Sequence, residues 1–244
     1  MAHIRCDFRS EVMDMNTSMT VVLPECVDLN KVKVVYLLHG LADNCTGWSR
    51  YTCVERYARE YNLALVIPEV QRSFYADMVE GLSYFKFIHE ELRDICCRFF
   101  NFSKEKENNY IMGLSMGGYG ALKCALTTPA WYNGCAAFSS VADIKTLVKS
   151  CSDGRKNEFD AIFGNTVGKE SDLFELLAIN KETLPSFYIS CGEEDVRIVH
   201  SEKIASALQE KDAKVQYEHW TGDHNWVFWD AAVKRAFAYF FGKE

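Results

Sequence analysis

A serine set between glycines, directly after an apolar run, is the pattern in this 244-residue chain best suited to covalent chemistry. Residues Gly113-Leu114-Ser115-Met116-Gly117 match G-x-S-x-G. The pattern alone is cheap, because Gly and Ser are common. Its context is less so: the run Tyr110 to Leu114 reads as a strand, and Met116 to Leu126, rich in small residues and Leu, reads as a helix. A strand–turn–helix with flanking glycines can turn sharply and lift a serine hydroxyl off the sheet edge. The helix N-terminus beneath it favours developing negative charge. The plainer alternative is a glycine-rich turn with Ser115 as a helix cap. A phosphate loop is disfavoured, since no Gly-Lys-[Ser/Thr] follows.

A serine hydroxyl is a weak nucleophile at neutral pH and needs an adjacent base. Of the six histidines, His200, His219 and His224 lie after Ser115. In α/β hydrolases, whose serine sits on such a turn, the chain order is Ser, acid, His. His224 stands in the loop Thr221-Gly222-Asp223-His224, after the strand candidate Val215 to Trp220 and before the last helical pattern. Open α/β sheets place their sites at that end of a strand. His219 falls inside the strand and His200 on a helix face, where packing or surface roles are expected. The acid should close a strand lying between these two points. Phe187 to Cys191 ends in Gly192-Glu193-Glu194-Asp195, which makes Asp195 the candidate acid, with capping of a helix near Val196 as its other use. Asp143 is the second candidate acid, although its place before Ile144 to Val148 suits an N-cap. Asp223 reads as a turn residue.

Attack on an ester carbonyl leaves charge on oxygen, which preorganised N–H groups stabilise. One donor should be the N–H of Met116. The second should come from the loop His39-Gly40-Leu41 after the strand ending at Leu38, with Leu41 N–H as donor and Gly40 letting the backbone approach the substrate.

These positions require a sheet. Val32 to Leu38, Leu63 to Ile67, Tyr110 to Leu114, Gly134 to Phe138 and Phe187 to Cys191 are apolar, strand-sized runs that suit a parallel sheet buried on both faces. Between them, Tyr84, Ile88, Leu92, Ile95 and Phe99 fall on one helical face, as do His200, Ile204 and Leu208. A last helix is expected through Trp226, Trp229, Val233, Phe237 and Phe240. Alternating strands and helices predict a mostly parallel, doubly wound α/β sheet. Ile4 to Val12 and Met19 to Leu23 predict an antiparallel hairpin at its edge. Residues 141–182 fit the pattern poorly and are expected to form a small cap or insertion. With no repeat and no linker, residues 1–244 read as one domain.

Hydrophobic residues at 48% and charged residues at 25% are ordinary for a soluble domain. A net charge of −7 disfavours a nucleic acid partner. The start, MAHIRCDFRS, lacks the apolar core of a secretory signal, and no apolar run approaches the ~20 residues of a membrane span. A cytoplasmic protein without membrane association is the expectation. Its ten cysteines, lacking C-x-x-C or ligand spacing, are expected to be reduced and mostly buried rather than metal-binding. A homo-oligomer is left open.

Together, Tyr36-Leu37-Leu38-His39-Gly40, Gly113-Leu114-Ser115-Met116-Gly117-Gly118-Tyr119-Gly120, Cys191-Gly192-Glu193-Glu194-Asp195 and His224-Asn225-Trp226 leading to Trp229 resemble the esterase D family of α/β hydrolases. The resemblance is nearest to its tributyrin esterase branch of small bacterial carboxylesterases. It implies the α/β-hydrolase fold and hydrolysis of short acyl esters, a small-molecule substrate and no cofactor or metal. It carries the triad onto Ser115, Asp195 and His224, and the oxyanion donors onto Leu41 and Met116. Feruloyl or acetylxylan esterases and S-formylglutathione hydrolases share the superfamily and are the alternative activities. A non-catalytic member is disfavoured because all three triad candidates are present. Phe74, Tyr75, Phe159 and Phe163 are the candidate pocket walls, with core packing as their alternative.

Overall fold

The computed structural model describes residues 1–25 and 27–242. The first half of the chain runs β1 (Ala2–Ser10), β2 (Met15–Leu23), β3 (Val34–Leu38), α1 (Gly47–Tyr51), α2 (Val54–Glu60), β4 (Ala64–Pro68), α3 (Tyr84–Lys86), α4 (Leu92–Phe100), β5 (Asn109–Leu114) and α5 (Met116–Thr127). The second half runs β6 (Gly134–Phe138), α6 (Ile144–Lys149), α7 (Asp153–Phe163), α8 (Leu173–Ile179), β7 (Ser186–Gly192), α9 (Ile198–Gln209), β8 (Val215–Trp220) and α10 (Trp226–Phe241). All eight strands join one sheet in the order β1-β2-β4-β3-β5-β6-β7-β8. The pairs β1–β2 and β2–β4 are antiparallel, and the remaining pairs are parallel. This is the doubly wound sheet with an antiparallel edge that the sequence pattern predicts.

The central strands β3, β4, β5 and β6 are buried along their whole length, which explains their unbroken apolar character. Successive side chains feed two separate cores. Val34, Tyr36 and Leu38 face one core, and Val35 and Leu37 the other. The first core lies under α4, α5, α8 and α9, and the second under α1, α2 and α10. Burial of Phe228, Trp229, Val233 and Phe237 seats α10, at about 1.5–3 kcal/mol for each large apolar side chain.

Three details differ from the sequence expectation. The edge hairpin begins at Ala2 and turns at residues 11–14 rather than continuing to Val12. The expected helix through Tyr84 and Phe99 carries a π turn, Phe87–Glu91, between α3 and α4. There the Glu91 carboxylate accepts from the Ser10 hydroxyl and the Glu11 N–H, tying the hairpin turn to the helix. The stretch 141–182 is largely helical, with α6, α7 and α8 inserted between β6 and β7. No helix among the described residues is long and apolar enough to cross a membrane.

The β5–α5 junction admits no side chain at Gly113. A methyl built there would lie 2.3 Å from the Gly117 carbonyl oxygen, a backbone atom that cannot rotate away. Gly113→Ala is therefore expected to destabilise the fold by about 2 kcal/mol or more and to lower Tm by roughly 5 °C or more. Thermal unfolding checks this, and an unchanged Tm would mean that the junction relaxes freely.

Candidate active site

Ser115 follows the last residue of β5 and holds φ +52° and ψ −115°, a conformation an L-residue takes only under constraint. Its N–H donates to the Phe138 carbonyl (2.8 Å), and its own carbonyl accepts from Tyr119 at 3.1 Å. Neighbouring strand and helix thus both grip the turn.

Two further loops arrive at the same end of the sheet. The loop after β7 brings Asp195, and the loop after β8 brings His224. They are stitched together by Glu193 N–H to the Trp220 carbonyl and Glu194 N–H to the Gly222 carbonyl, both 3.0 Å. Asn225 then caps α10, accepting from Val227 and Phe228 N–H, so His224 sits just before a fixed helix start. His224 Nε2 lies 3.0 Å from Ser115 Oγ, and His224 Nδ1 lies 2.8 Å from Asp195 Oδ2. A carboxylate only accepts, so the neutral ring's proton belongs on Nδ1, leaving Nε2 to accept from the serine.

The loop after β3 supplies the fourth side. A methyl on Gly40 would stand 3.8 Å from Ser115 Cβ, which puts Gly40 against the serine and Leu41 next in the chain. Among the described residues, neither Leu41 N–H nor Met116 N–H donates to a protein acceptor. Both are therefore free to donate to a ligand oxygen.

The remaining candidates are engaged elsewhere. Asp143 caps α6 through the Thr146 N–H (3.0 Å) and takes Lys203 Nζ at 2.7 Å. His200 Nδ1 accepts from the N–H groups of Ala142 and Asp143. His219 is exposed and paired with Glu193 at 3.0 Å. Asp223 accepts from the His224 N–H as a turn residue. Phe74, Tyr75 and Phe159 are almost wholly buried and Phe163 nearly so; Phe74 packs on Phe159, Phe163 and Tyr119, and Tyr75 on His39. They are core, not exposed wall. No group of three or more His, Cys, Asp or Glu among the described residues is arranged to hold a metal.

Comparison with known proteins assigns the chain to a family. The family model for esterases, described as "Putative esterase", matches residues 10–240. The chain belongs to this esterase family. An acetyl esterase of Caldicellulosiruptor saccharolyticus is 30% identical to it, the alignment covering 97% of each chain. Among solved structures, the substrate-bound fluorophosphonate-binding serine hydrolase F (FphF) of Staphylococcus aureus superposes with a TM-score of 0.90, at 32% identity and 99% coverage of both chains. An S-formylglutathione hydrolase (FrmB) from Staphylococcus aureus superposes at 0.87, with 33% identity and 98% coverage of both. The fold is that of the α/β-hydrolase-like serine hydrolases.

In this esterase, several residues without a sequence signal hold the site. Ser139, at φ +48°, donates its N–H to Ser190 and accepts the Trp229 indole N–H at 3.1 Å. It sits beside Asp195 only because β6 lies between β5 and β7. His39 is fully buried; its Nε2 accepts from Val70 N–H (3.2 Å), and its Nδ1 faces the Gly40 carbonyl at 2.8 Å. Burial lowers the His39 pKa against the opposing pull of Glu69, so the ring is a neutral brace for the Gly40 loop. The Tyr75 hydroxyl and Trp48 indole donate to the carbonyls of His39 and Leu38, completing the brace.

Asp195 is the buried charge of the site. Burial pushes its pKa up, but hydrogen bonds from His224, Ser139 and the Arg197 N–H outweigh that, and the net direction is downward. A carboxyl depressed in the folded state stabilises the fold above its unfolded pKa, near ~3.9, and that contribution is lost as pH falls through the lower folded value. The stability gap between wild type and Asp195→Asn, read by urea unfolding, is expected to be widest near neutrality and to narrow as pH falls through and below the ordinary carboxylate range. A gap constant with pH would separate the residue's structural role from its charge.

Proposed function

We propose that this protein is a serine carboxylesterase of the tributyrin esterase kind, hydrolysing short-chain acyl esters through an acyl-enzyme. The observation that carries the reading is the unbroken relay from Ser115 Oγ through the His224 ring to the buried Asp195 carboxylate. In the proposed cycle, His224 Nε2 takes the Ser115 proton as Oγ attacks the ester carbonyl. The N–H groups of Leu41 and Met116 receive the oxyanion. The imidazolium, stabilised by Asp195, returns its proton to the leaving alcohol. Water then repeats the sequence on the acyl-enzyme and frees Ser115.

Ser115→Ala is expected to lower kcat by about 10⁶ while the protein remains folded. Asp195→Asn, which favours the wrong imidazole tautomer, is expected to cost about 10⁴. Near-normal turnover by a folded, uncontaminated Ser115→Ala protein would end the proposal. Crippling by Asp143→Asn with a mild Asp195→Asn would move the acid.

A thioesterase reading of the S-formylglutathione hydrolase kind is supported by the 33% identity to that solved enzyme over 98% of the chain. The same triad serves both bonds, so parallel kcat/KM values for S-formylglutathione and p-nitrophenyl acetate decide between them.

Acyl size follows from the packing of the insertion. Phe74, Phe159 and Phe163 fill the space beneath α7 with one another, their ring centroids 5.3 to 6.3 Å apart. We take these rings to bound the acyl side, where each buried methylene would add about 0.8 kcal/mol only while space lasted. A p-nitrophenyl ester series is expected to peak in kcat/KM between acetyl and butyryl and to decline by octanoyl. A maximum at ten carbons or longer would overturn the short-acyl assignment.

A further inference from the structure

Val227 and Val196 are the two most exposed large hydrophobic side chains among the described residues, at 84% and 79%. One stands three residues after His224 and the other directly after Asp195. Their loops are held to each other by the Glu193–Trp220 and Glu194–Gly222 backbone bonds, both 3.0 Å. The polar side chains of the same loops are engaged locally: Glu193 with His219, Glu194 with the Gly222 N–H, Asp223 with the His224 N–H, and Asn225 with the start of α10. The valines are left facing solvent, where an apolar side chain gains nothing from water.

Two aromatic rings continue this apolar rim toward the loop after β3. Trp226 is half-buried and Tyr51 is half-exposed, and their ring centroids lie 5.1 Å apart. Trp226 stands 5.2 Å from Trp229, whose ring is itself 5.0 Å from His224. It also reaches the loop that begins at Gly40. A methyl built at Gly47 would lie 3.3 Å from Trp226 Cζ2 and 2.7 Å from Asp43 Oδ1. Asp43 N–H donates to the Gly40 carbonyl at 3.2 Å, and Gly40 stands against Ser115. The two rings are thus joined to the site by two routes, one through His224 and one through Gly40.

We propose that Val196, Val227, Trp226 and Tyr51 form a subsite for the leaving alcohol of the ester, favouring an alcohol that carries an aryl group; this rests on the esterase reading above. In the cycle, the alcohol oxygen takes its proton from His224 Nε2, so at that step it lies within ~3 Å of that nitrogen. His224 Nε2 is 3.0 Å from Ser115 Oγ, and the histidine side chain is 32% exposed, so the oxygen sits at the mouth of the site. Whatever the alcohol carries extends outward from His224. The apolar side chains that flank His224 and Asp195 in the chain, with Tyr51 against them, are the surface it meets there. An aryl group laid on them removes apolar area from water on both partners and meets the rings of Trp226 and Tyr51 in stacked or edge-to-face contact.

Ethyl acetate and 2-phenylethyl acetate test this. They share the acyl group and a primary alcohol, so the ratio of their kcat/KM values reads the phenyl ring. Wild-type protein is expected to favour the phenyl ester about tenfold, which is about 1.4 kcal/mol. Val196→Ser with Val227→Ser is expected to lower that ratio about threefold, and Tyr51→Ser, on a separate helix, to lower it by about as much on its own. The ratio does not depend on how much of a variant is folded, so a loss of active protein leaves the reading intact. A wild-type ratio near one, or a ratio that neither variant changes, overturns the subsite while leaving the esterase standing. A lower sedimentation mass for the double valine variant with its ratio unchanged also overturns it, and makes the rim a contact between copies of this chain. Wild-type protein that cleaves neither ester, or cleavage that survives Ser115→Ala in pure protein, overturns the esterase reading itself.

Discussion

A backbone held at φ +52° and ψ −115° is the constraint on which the rest of the structure depends. Such a conformation costs about 1–3 kcal/mol and persists only where its surroundings over-determine it. Around Ser115 the determination comes from three directions. Phe138 accepts its N–H from the neighbouring strand, Tyr119 donates to its carbonyl from the following helix, and Gly113 and Gly117 let α5 touch β5 and the end of β3 backbone to backbone. The strain aims one hydroxyl outward. Without it, the serine would be an ordinary helix cap.

The second requirement is to keep a carboxylate charged in a place water hardly reaches. Asp195 has a side chain with no exposed surface. Burial alone would favour its neutral form. The bonds that reverse this come from His224, from Ser139 and from the chain itself at Arg197. They also set direction, because a carboxylate that accepts from Nδ1 leaves Nε2 to face Ser115. Stability and orientation thus rest on the same contacts. The indole of Trp229 links them to the core, donating to Ser139 while its ring stands edge-on to His224 at 5.0 Å.

How much of this could be read from the sequence depended on where each residue's partners lie. The central strands were legible because burial on both faces makes them unbroken apolar runs, and their ends fell within a residue or two of expectation. The hairpin was less legible. Arg5, Asp7 and Arg9 on β1 alternate with apolar positions at an exposed edge, which weakens the signal. The short helices α1 and α2 were missed, as they offer too few turns for a periodic face. In α7, the run Asp153-Gly154-Arg155-Lys156-Asn157 is polar, and its buried residues, Phe159, Ile162 and Phe163, crowd the far end. Ser115, Asp195 and His224 could be nominated because each closes or follows a strand. Ser139 and His39 could not be given their bracing roles, because those depend on strand order, which places β6 beside β7 and β3 beside β4.

Two aromatic groups divide the work of the surrounding structure. One runs from the core to the surface along the histidine loop: Trp48 is wholly buried, Trp226 and Trp229 stand edge to face beside it, and Tyr51 is 49% exposed. The other, Phe74, Tyr119, Phe159 and Phe163, fastens the insertion to α5, the helix that follows Ser115. The first group leaves the imidazole little freedom, since moving His224 would disturb Trp229 and with it the bond to Ser139. The second group holds α7 by one end only. Its N-terminal half, which bears Arg155, is anchored through Glu158 and Arg72 instead of through apolar burial. Ion pairs at a surface contribute less than packed rings and are more easily exchanged. The contacts around Ser115 and His224 thus lie in the part of the fold least able to change, whereas polar substitutions in the first half of α7 would alter its surface without disturbing the sheet.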